Sequence, residues 1–352
     1  MTVIKQEDFI QSICDAFQFI SYYHPKDYID ALYKAWQKEE NPAAKDAMTQ
    51  ILVNSRMCAE NNRPICQDTG IATVFLKVGM NVQWDADMSV EEMVNEGVRR
   101  AYTWEGNTLR ASVLADPAGK RQNTKDNTPA VIHMSIVPGD KVEVTCAAKG
   151  GGSENKSKLA MLNPSDNIVD WVLKTIPTMG AGWCPPGILG IGIGGTPEKA
   201  VLMAKESLMS HIDIQELQDK AKSGAELNTV EKLRLELYEK VNALGIGGAC
   251  GNLARHPAVG RIHDVSRRRA MCRIKETRWT HLGDRLTVSA SLHAGDGVPP
   301  LLEGFSYERD RAGALVLGHQ CLGAVIAIKG HIPVLATVSR YILANHFHVE
   351  VS

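Results

Sequence analysis

A β-strand is predicted by the sequence Ile71-Ala72-Thr73-Val74-Phe75-Leu76-Lys77-Val78, which is rich in β-branched and aromatic residues and ends at a glycine. Two further strands are predicted at residues 130–137 and 141–147, and the turn Pro-Gly-Asp at 138–140 joins them. A fourth, buried strand is predicted at residues 187–193. Helical patterns surround these strands without regular βαβ alternation, so the sequence predicts an α+β fold rather than a doubly wound sheet.

The helices are predicted from apolar residues that recur at helical spacing, such as Phe9, Ile13 and Phe17 in the first of them. We expect helices at residues 7–21, 25–37, 43–61, 89–102, 166–173, 197–209 and 227–243. The first three are expected to form an N-terminal helical bundle, and the others to join the strands in a mixed helix and sheet domain. Thr196 and Pro197 suit the N-cap and the first position of their helix.

Composition limits the classes of function. The 352 residues are 22% charged and 44% hydrophobic, which is typical of a globular protein. The 39 basic and 40 acidic side chains nearly balance, which argues against a dedicated nucleic-acid or membrane-surface protein. No apolar run is long enough to span a bilayer, and the first residues lack the layout of a signal peptide. A cytoplasmic location is therefore expected, with the eight cysteines as thiols or metal ligands rather than in disulfides.

The basic residues change in type along the chain. Residues 1–253 contain 19 Lys and 7 Arg, whereas residues 254–352 contain 2 Lys and 11 Arg together with 8 of the histidines. The sequence therefore predicts a first domain over residues 1–253 and an atypical tail over residues 254–352. The tail is either a different domain or the product of a reading-frame shift.

Three polar segments are candidates for binding and chemistry. Residues 66–70, Cys-Gln-Asp-Thr-Gly, form a dense polar cluster between a helix and a strand, although a capped turn has the same composition. Arg110 lies in a polar loop and suits bidentate binding of a carboxylate, but it also suits a solvated surface. Residues 149–156, Lys-Gly-Gly-Gly-Ser-Glu-Asn-Lys, can bring backbone N–H groups close to an anion, or form a flexible turn.

The segment 182–198 adds a cysteine and a glycine motif. Cys184 precedes two prolines, which stiffen the loop in the way that a metal or cluster ligand requires. Gly190, Gly192 and Gly195 match the spacing of a dinucleotide-binding turn, so an oxidoreductase that binds a dinucleotide through this loop is one alternative.

Taken in this order, these segments resemble the class I fumarate hydratase family, specifically the α subunit or N-terminal domain of these iron–sulfur hydro-lyases. The resemblance covers roughly residues 8–250, and the related L-tartrate dehydratases share it. It implies that the mixed domain binds a 4Fe–4S cluster through three cysteines, with one iron open to substrate. It also implies reversible addition of water to fumarate to give L-malate, in which the open iron acts as a Lewis acid.

The resemblance also implies the roles of individual residues. Cys66 and Cys184 match two cluster ligands, and Cys272 is the candidate for the third, with Cys250 as a nearer but less suitable one. Gln67 and Asp68 are the catalytic candidates, which border the substrate hydroxyl. The candidate substrate-binding residues are Gln67, Asp68, Arg110 and Gly151. The remaining cysteines are expected to be small core or strand residues: Cys14, Cys58, Cys146 and Cys321.

The expected partners are a small dicarboxylate substrate and either a second copy of the chain or a β-type partner subunit. In the family a second, β-type domain or subunit completes the site. The resemblance implies that residues 254–352 are a degenerate or frameshifted start of that domain, so the chain alone is expected to be incomplete. Besides the dinucleotide-binding oxidoreductase, two alternatives stay open. One is a dehydratase of L-tartrate or another 2-hydroxy-dicarboxylate, and the other is a non-catalytic subunit.

Overall fold

The structure is a computed structural model, which describes residues 2–179, 187–211 and 214–244 and the backbone of four short strands beyond them. A 3₁₀ turn at Ile176–Met179 follows helix α6. In chain order the elements are β1 (Thr2–Lys5), α1 (Gln6–Tyr22), α2 (Lys26–Lys38), α3 (Pro42–Asn61), β2 (Ile71–Gly79), β3 (Val82–Asp85), α4 (Val90–Thr103), β4 (Leu114–Ala115), β5 (Gln122–Asn123), β6 (Val131–Val137), β7 (Val142–Lys149), α5 (Gly151–Glu154), α6 (Ile168–Thr175), α7 (Pro197–Ser207), α8 (Ile214–Lys222), α9 (Thr229–Ala243), β8 (Thr280–His281), β9 (Leu286–Thr287), β10 (Ala327–Ile328) and β11 (Val349–Val351).

The main sheet is built around β2, which confirms the strand predicted at residues 71–78. Strand β2 pairs with β6 in parallel, with Thr73 opposite Val131. On its other side β2 pairs with β7 in the antiparallel sense, with Ile71 opposite Lys149. Strand β7 in turn pairs with β10 and β11. Mixed strand directions and the surrounding helices confirm the α+β class.

Strands β6 and β7 form where the sequence predicts them, but they are not neighbours, because β2 lies between them. The turn at 138–140 therefore crosses over the end of β2. Gly79 makes this crossing possible, since a Cβ at that position would lie 2.6 Å from the carbonyl oxygen of Gly139. The crossing is held by hydrogen bonds from the Gly79 N–H to the Lys141 carbonyl at 2.8 Å and from the Asn81 N–H to the Gly139 carbonyl at 2.9 Å.

The main core lies between this sheet and two helices, α1 and α4. Helix α1 buries Phe9, Ile13 and Phe17 against the sheet and α4. Full burial of each such side chain contributes roughly 1.5–3 kcal/mol. Helix α4 starts with a capping box in which Ser89 and Glu92 satisfy each other's backbone N–H groups. Helices α2 and α3 form where predicted and pack against each other in a second, smaller cluster.

Residues 187–193 are not a strand, so that prediction is wrong. The segment lies instead against α7, where a Cβ at Gly190 would meet the Ala204 carbonyl oxygen at 2.2 Å and one at Gly192 the Ala200 carbonyl oxygen at 2.0 Å. The apolar run is explained by packing, because Leu189 and Ile191 contact the cluster formed by α6 and α9. Within the described part of the chain no helix has both the length and the apolar character to cross a membrane.

Candidate functional site

The candidate site lies at the end of the sheet where β2 and β6 begin and β7 ends. Because β2 and β7 are antiparallel, their register places the residues before Ile71 beside those after Lys149. Because β2 and β6 are parallel, the residues before Val131 reach the same end. Residues 62–70 and 124–130 therefore meet beside the turn after Lys149. Hydrogen bonds bring residues 104–113 to the same place, which makes three loops: 62–70, 104–113 and 124–130.

The first loop carries Cys66 and is fixed at its start. Helix α3 ends at Asn62, whose φ of 48° turns the chain, and the Ile65 N–H donates to the Ser21 carbonyl at 2.9 Å. Cys66 is half-buried, and its Sγ accepts a hydrogen bond from the Asp68 N–H at 3.3 Å. This cysteine is disulfide-bonded in the structure, so the prediction that the cysteines form no disulfides is wrong for Cys66. Reduction must therefore precede any metal binding through its sulfur, because the thiolate is the ligand.

Asp68 joins the Cys66 loop to the triple-glycine turn. Its Oδ1 accepts from the Gly70 N–H at 3.1 Å, and its Oδ2 accepts from the Gly151 N–H at 2.8 Å. Each bond is charge-assisted, since the acceptor is a carboxylate. Two candidate site residues, Asp68 and Gly151, are thus in direct contact, and the Gly151 N–H is directed at the protein's own carboxylate.

Thr69 joins the Cys66 loop to the loop that carries Arg110. Its hydroxyl donates to the Arg110 carbonyl and accepts from the Arg110 N–H at 3.2 Å. The Thr69 carbonyl accepts from the hydroxyl of the buried Tyr102 at 3.0 Å. Burial raises the pKa of this phenol, so it stays a hydrogen-bond donor. The Arg110 side chain is exposed and makes no ion pair with a described carboxylate.

Asn127 connects the third loop to the other two. Its side chain is fully buried, and its Oδ1 accepts from the Ser112 N–H at 2.9 Å and from the Val113 N–H at 3.3 Å. Its Nδ2 donates to the Gly70 carbonyl at 3.0 Å. One amide therefore satisfies three backbone groups, which would otherwise be costly to bury.

Lys149 lies buried behind the glycine turn. Its Nζ donates to the Ser153 hydroxyl and lies 3.6 Å from Glu154 Oε2, while Lys205 Nζ lies 2.7 Å from Glu154 Oε1. Burial lowers the pKa of Lys149 from 10.5 to about 8, against the opposing effect of Glu154. The ion pairs tie the α5 turn to α7, which makes Lys149 a structural cation of this turn.

Three other cysteines are core residues, as the sequence predicts. Burial raises the pKa of Cys14 and of Cys146 to about 12, and it also raises the pKa of Cys58. We call Cys14, Cys58 and Cys146 the core thiols; all three are free and buried. A raised pKa disfavours the thiolate that binds metals, so none of them suits a ligand role. Cys321 lies outside the described residues.

The structure brings together five of the candidate residues: Cys66, Gln67, Asp68, Arg110 and Gly151. The other two candidate ligands, Cys184 and Cys272, lie outside the described residues. Over the ranges given above, no three His, Cys, Asp or Glu side chains converge on a common metal position.

The glycine motif at 190–195 does not follow a strand. The strand-to-helix context of a dinucleotide-binding turn is thus missing, and that alternative is not supported.

Sequence reasoning missed Asn127, Tyr102 and Lys205. The run Asp-Asn-Thr-Pro at 126–129 carries a signal, because it concentrates turn-forming residues just before a strand. That composition predicts an exposed turn, however, and gives no sign that the Asn127 amide points inward.

Comparison with known proteins identifies the family. Residues 10–274 match the family model for fumarate hydratase (Fumerase). The chain is 37% identical over 243 residues to a protein of Methanocaldococcus jannaschii described as a candidate L(+)-tartrate dehydratase subunit alpha, an overlap of 67% of this chain and 81% of the relative. It is 33% identical over 207 residues to the anaerobic class I fumarate hydratase of Escherichia coli K12, with 57% of this chain and 37% of that protein covered. It is 29% identical over 249 residues to the L(+)-tartrate dehydratase subunit alpha of the same strain, with 66% and 78% covered. The chain therefore belongs to the fumarate hydratase family.

Proposed function

We propose that this chain is the α-type part of an iron–sulfur hydro-lyase that adds water to fumarate to give L-malate. The observation that carries the proposal is a pair of hydrogen-bonded links that two consecutive residues of the Cys66 loop make to other loops. Asp68 binds the glycine turn and Thr69 binds the backbone of Arg110. The loops that carry Cys66, Asp68 and the exposed Arg110 are thus joined at one end of the sheet.

The described residues fit a cluster ligand at Cys66. Among the described cysteines it is the one that is half-buried at a loop edge, and its sulfur already accepts a backbone N–H. Hydrogen bonds of this kind tune the potential of iron–sulfur sites. We propose Cys66, Cys184 and Cys272 as the three ligands of a 4Fe–4S cluster. When bound, the cluster supplies a Lewis acid that makes hydroxide a feasible leaving group.

The residues of the chain bind and orient the substrate in this proposal. Arg110 offers a planar guanidinium that can hold one substrate carboxylate through two parallel hydrogen bonds. The exposed amide of Gln67 is placed beside Cys66, with its Oε1 3.4 Å from Cys66 Sγ. Both oxygens of Asp68 accept backbone N–H groups, so its first role is to hold the two loops at a fixed spacing. Proton transfer by Asp68 would require one of those bonds to open.

A second candidate function is dehydration of L(+)-tartrate or another 2-hydroxy-dicarboxylate. It is favoured by two of the relatives above, which are named L(+)-tartrate dehydratase alpha subunits and cover more of this chain than the fumarate hydratase does. Their names also support a β-type partner subunit, although a homo-oligomer is compatible with the same site. The division into residues 1–253 and a tail over residues 254–352 and a cytoplasmic location remain predictions.

The experiment is anaerobic purification of the full chain under reducing conditions, reconstitution with iron and sulfide, and measurement of bound iron and of water addition to fumarate. L(+)-tartrate dehydration is measured in parallel, with and without an added β-type subunit. Cys66→Ser is expected to lose cluster iron and all activity. Cys58→Ser is the matched control, because the Cys58 Sγ lies 3.6 Å from the Pro64 carbonyl in a site that a hydroxyl can fill. Full iron content in Cys66→Ser, or no iron in the parent chain, would contradict the proposal.

A further inference from the structure

Two polar side chains fix the loop of Arg110 to the loop of Cys66. Thr69 binds both backbone groups of Arg110 through one hydroxyl. Asn127 binds the N–H groups of Ser112 and Val113 and, on its other side, the carbonyl of Gly70. We call these two residues the Thr69–Asn127 clamp. Together they hold the backbone of residues 110–113 against that of residues 69–70.

The Arg110 loop has other anchors, since Leu109 is buried in the main core and the Asn123 amide donates to the Ala111 carbonyl at 2.8 Å. Residues 103–106, 108 and 110 are exposed, and the structure describes no helix or long strand between α4 and β6. The side chain of Asn107 stabilises the start of the loop by binding the Tyr102 and Leu109 backbone. Those bonds are internal to the loop, so they shape it without setting its distance from Asp68. Within the described part of the chain, the direct hydrogen bonds that link residues 110–113 to residues 69–70 are those of the clamp.

Asn127 is suited to this role by its own backbone. Its φ of 61° lies in the left-handed region, which Asn tolerates better than most residues. The side chain is fully buried and uses both its oxygen and its nitrogen. A buried amide whose oxygen and nitrogen both bind backbone atoms is rigid, because rotation would leave several groups unpaired at once.

We infer that the Thr69–Asn127 clamp is a positioning device that sets the position of the Arg110 backbone relative to the Cys66 loop, and through it which dicarboxylates the site accepts. The inference rests on the proposed function only for the identity of the ligand. Neither clamp residue touches substrate. Asp68 is bonded in sequence to Thr69, and Arg110 is held by Thr69 at both its N–H and its carbonyl. The backbone of Arg110, from which the guanidinium side chain extends, is therefore held beside the Cys66 loop while the clamp is closed.

The test compares Thr69→Val with Thr69→Ser in the full reconstituted chain. Valine has nearly the shape of threonine but lacks the hydroxyl, whereas serine keeps it. Asn127→Gly removes the amide while allowing the positive φ. Three quantities are measured in each variant: bound iron, KM and kcat for fumarate, and amide hydrogen exchange over residues 110–113. A longer and a shorter dicarboxylate are included as competing ligands.

The clamp predicts that Thr69→Val and Asn127→Gly retain iron, raise the KM for fumarate at least tenfold and change kcat less than threefold. Amide exchange over residues 110–113 becomes at least tenfold faster, and discrimination between the dicarboxylates weakens. In Thr69→Ser, the bound iron, the KM and kcat for fumarate and the rate of amide exchange stay within threefold of those of the parent chain.

Equal KM values and equal exchange in the valine and serine variants would overturn the inference. Loss of iron in Thr69→Val would also overturn it, because the hydroxyl would then stabilise the cluster loop. If Asn127→Gly does not fold, the comparison of Thr69→Val with Thr69→Ser decides whether the inference holds. If the parent chain hydrates no dicarboxylate, the proposed function fails, and the exchange measurement still decides whether the clamp holds residues 110–113.

Discussion

Replacing Asp68 by Asn tests the link between the Cys66 loop and the glycine turn. The carboxylate accepts one backbone N–H on each oxygen, at 3.1 Å from Gly70 and at 2.8 Å from Gly151. An amide has one oxygen, so in either orientation its NH₂ group faces a second N–H and one bond is lost. A hydrogen bond to a charged group contributes about 1.5–3 kcal/mol. Because Asp68 is half-buried, water can replace part of the lost hydrogen bond. We therefore expect Asp68→Asn to lower the free energy of unfolding by an amount in the lower half of that range.

The measurement is urea unfolding of the chain, followed by intrinsic fluorescence. At an m-value of about 2–3 kcal/mol per M, the expected loss lowers the midpoint by roughly 0.5–1 M. Asp85→Asn is the matched control, since it removes the same charge from an exposed side chain that makes no hydrogen bond in the structure. If Asp68→Asn unfolds at the same urea concentration as Asp85→Asn, the Asp68 bridge contributes no stability and the reasoning fails.

Other predictions concern titration, packing and thiol reactivity. Burial lowers the pKa of Lys149 from 10.5 to about 8, so between these values the unfolded chain binds more protons and stability rises with pH by about 3 kcal/mol. In Lys149→Met, the free energy of unfolding measured with urea should no longer rise across that pH range. An equal rise in the variant and in the parent chain would contradict the prediction. Gly79→Ala should lower the free energy of unfolding by about 1–3 kcal/mol, because the added Cβ would meet the crossing turn. In Gly151→Ala the nearest contact of the added Cβ is at 3.7 Å, so the free energy of unfolding should change little. After mild reduction, peptide mapping should show iodoacetamide on Cys66 before any of the core thiols; the reverse order would refute the ligand assignment.

The helices were largely predictable because their signals are local. Periodic apolar residues and the Ser89 cap place α4 within a residue or two of its predicted ends. The order of the strands was not predictable from the same kind of signal. A three-residue turn between two strands normally means a hairpin, and only the close approach of Gly79 and Gly139 explains why β2 lies between β6 and β7. That approach is a contact between residues 60 positions apart in the chain, which propensity does not record.

The apolar run at 187–193 shows a second limit of local signals. A short apolar run predicts burial equally well whether the segment is a strand or an extended segment on a helix. Gly190 and Gly192 were interpreted as part of a possible ligand-binding turn. Their surroundings give a simpler reason for glycine, since any side chain there would collide with the backbone of α7.

The sequence predicts the candidate site residues through their distinctive segments, but it does not predict the residues that join the loops of the site. Cys66, Asp68 and Arg110 stand out because each lies in a polar loop, and the family resemblance gives them roles. The residues that join those loops are ordinary in sequence. Asn127 lies among turn formers and Tyr102 ends an amphipathic helix, so neither departs from its local pattern. Their importance comes from which backbone groups they reach, and that is settled by the register of β2 with β6 and β7.

The direct links between the loops of this site are directional hydrogen bonds, and this separates the precision of the site from the stability of the fold. The main core between α1, α4 and the sheet uses large apolar side chains that are fully buried. The loops of the site take part in this packing through Leu109, but each of their buried N–H and carbonyl groups must also find a partner, and that partner helps to fix the position of the loop. A change of one atom in Thr69 should therefore alter what the site binds while leaving the core intact. Removing an equal volume from Phe17 should lower stability first and affect binding only through the fraction of chains that remain folded.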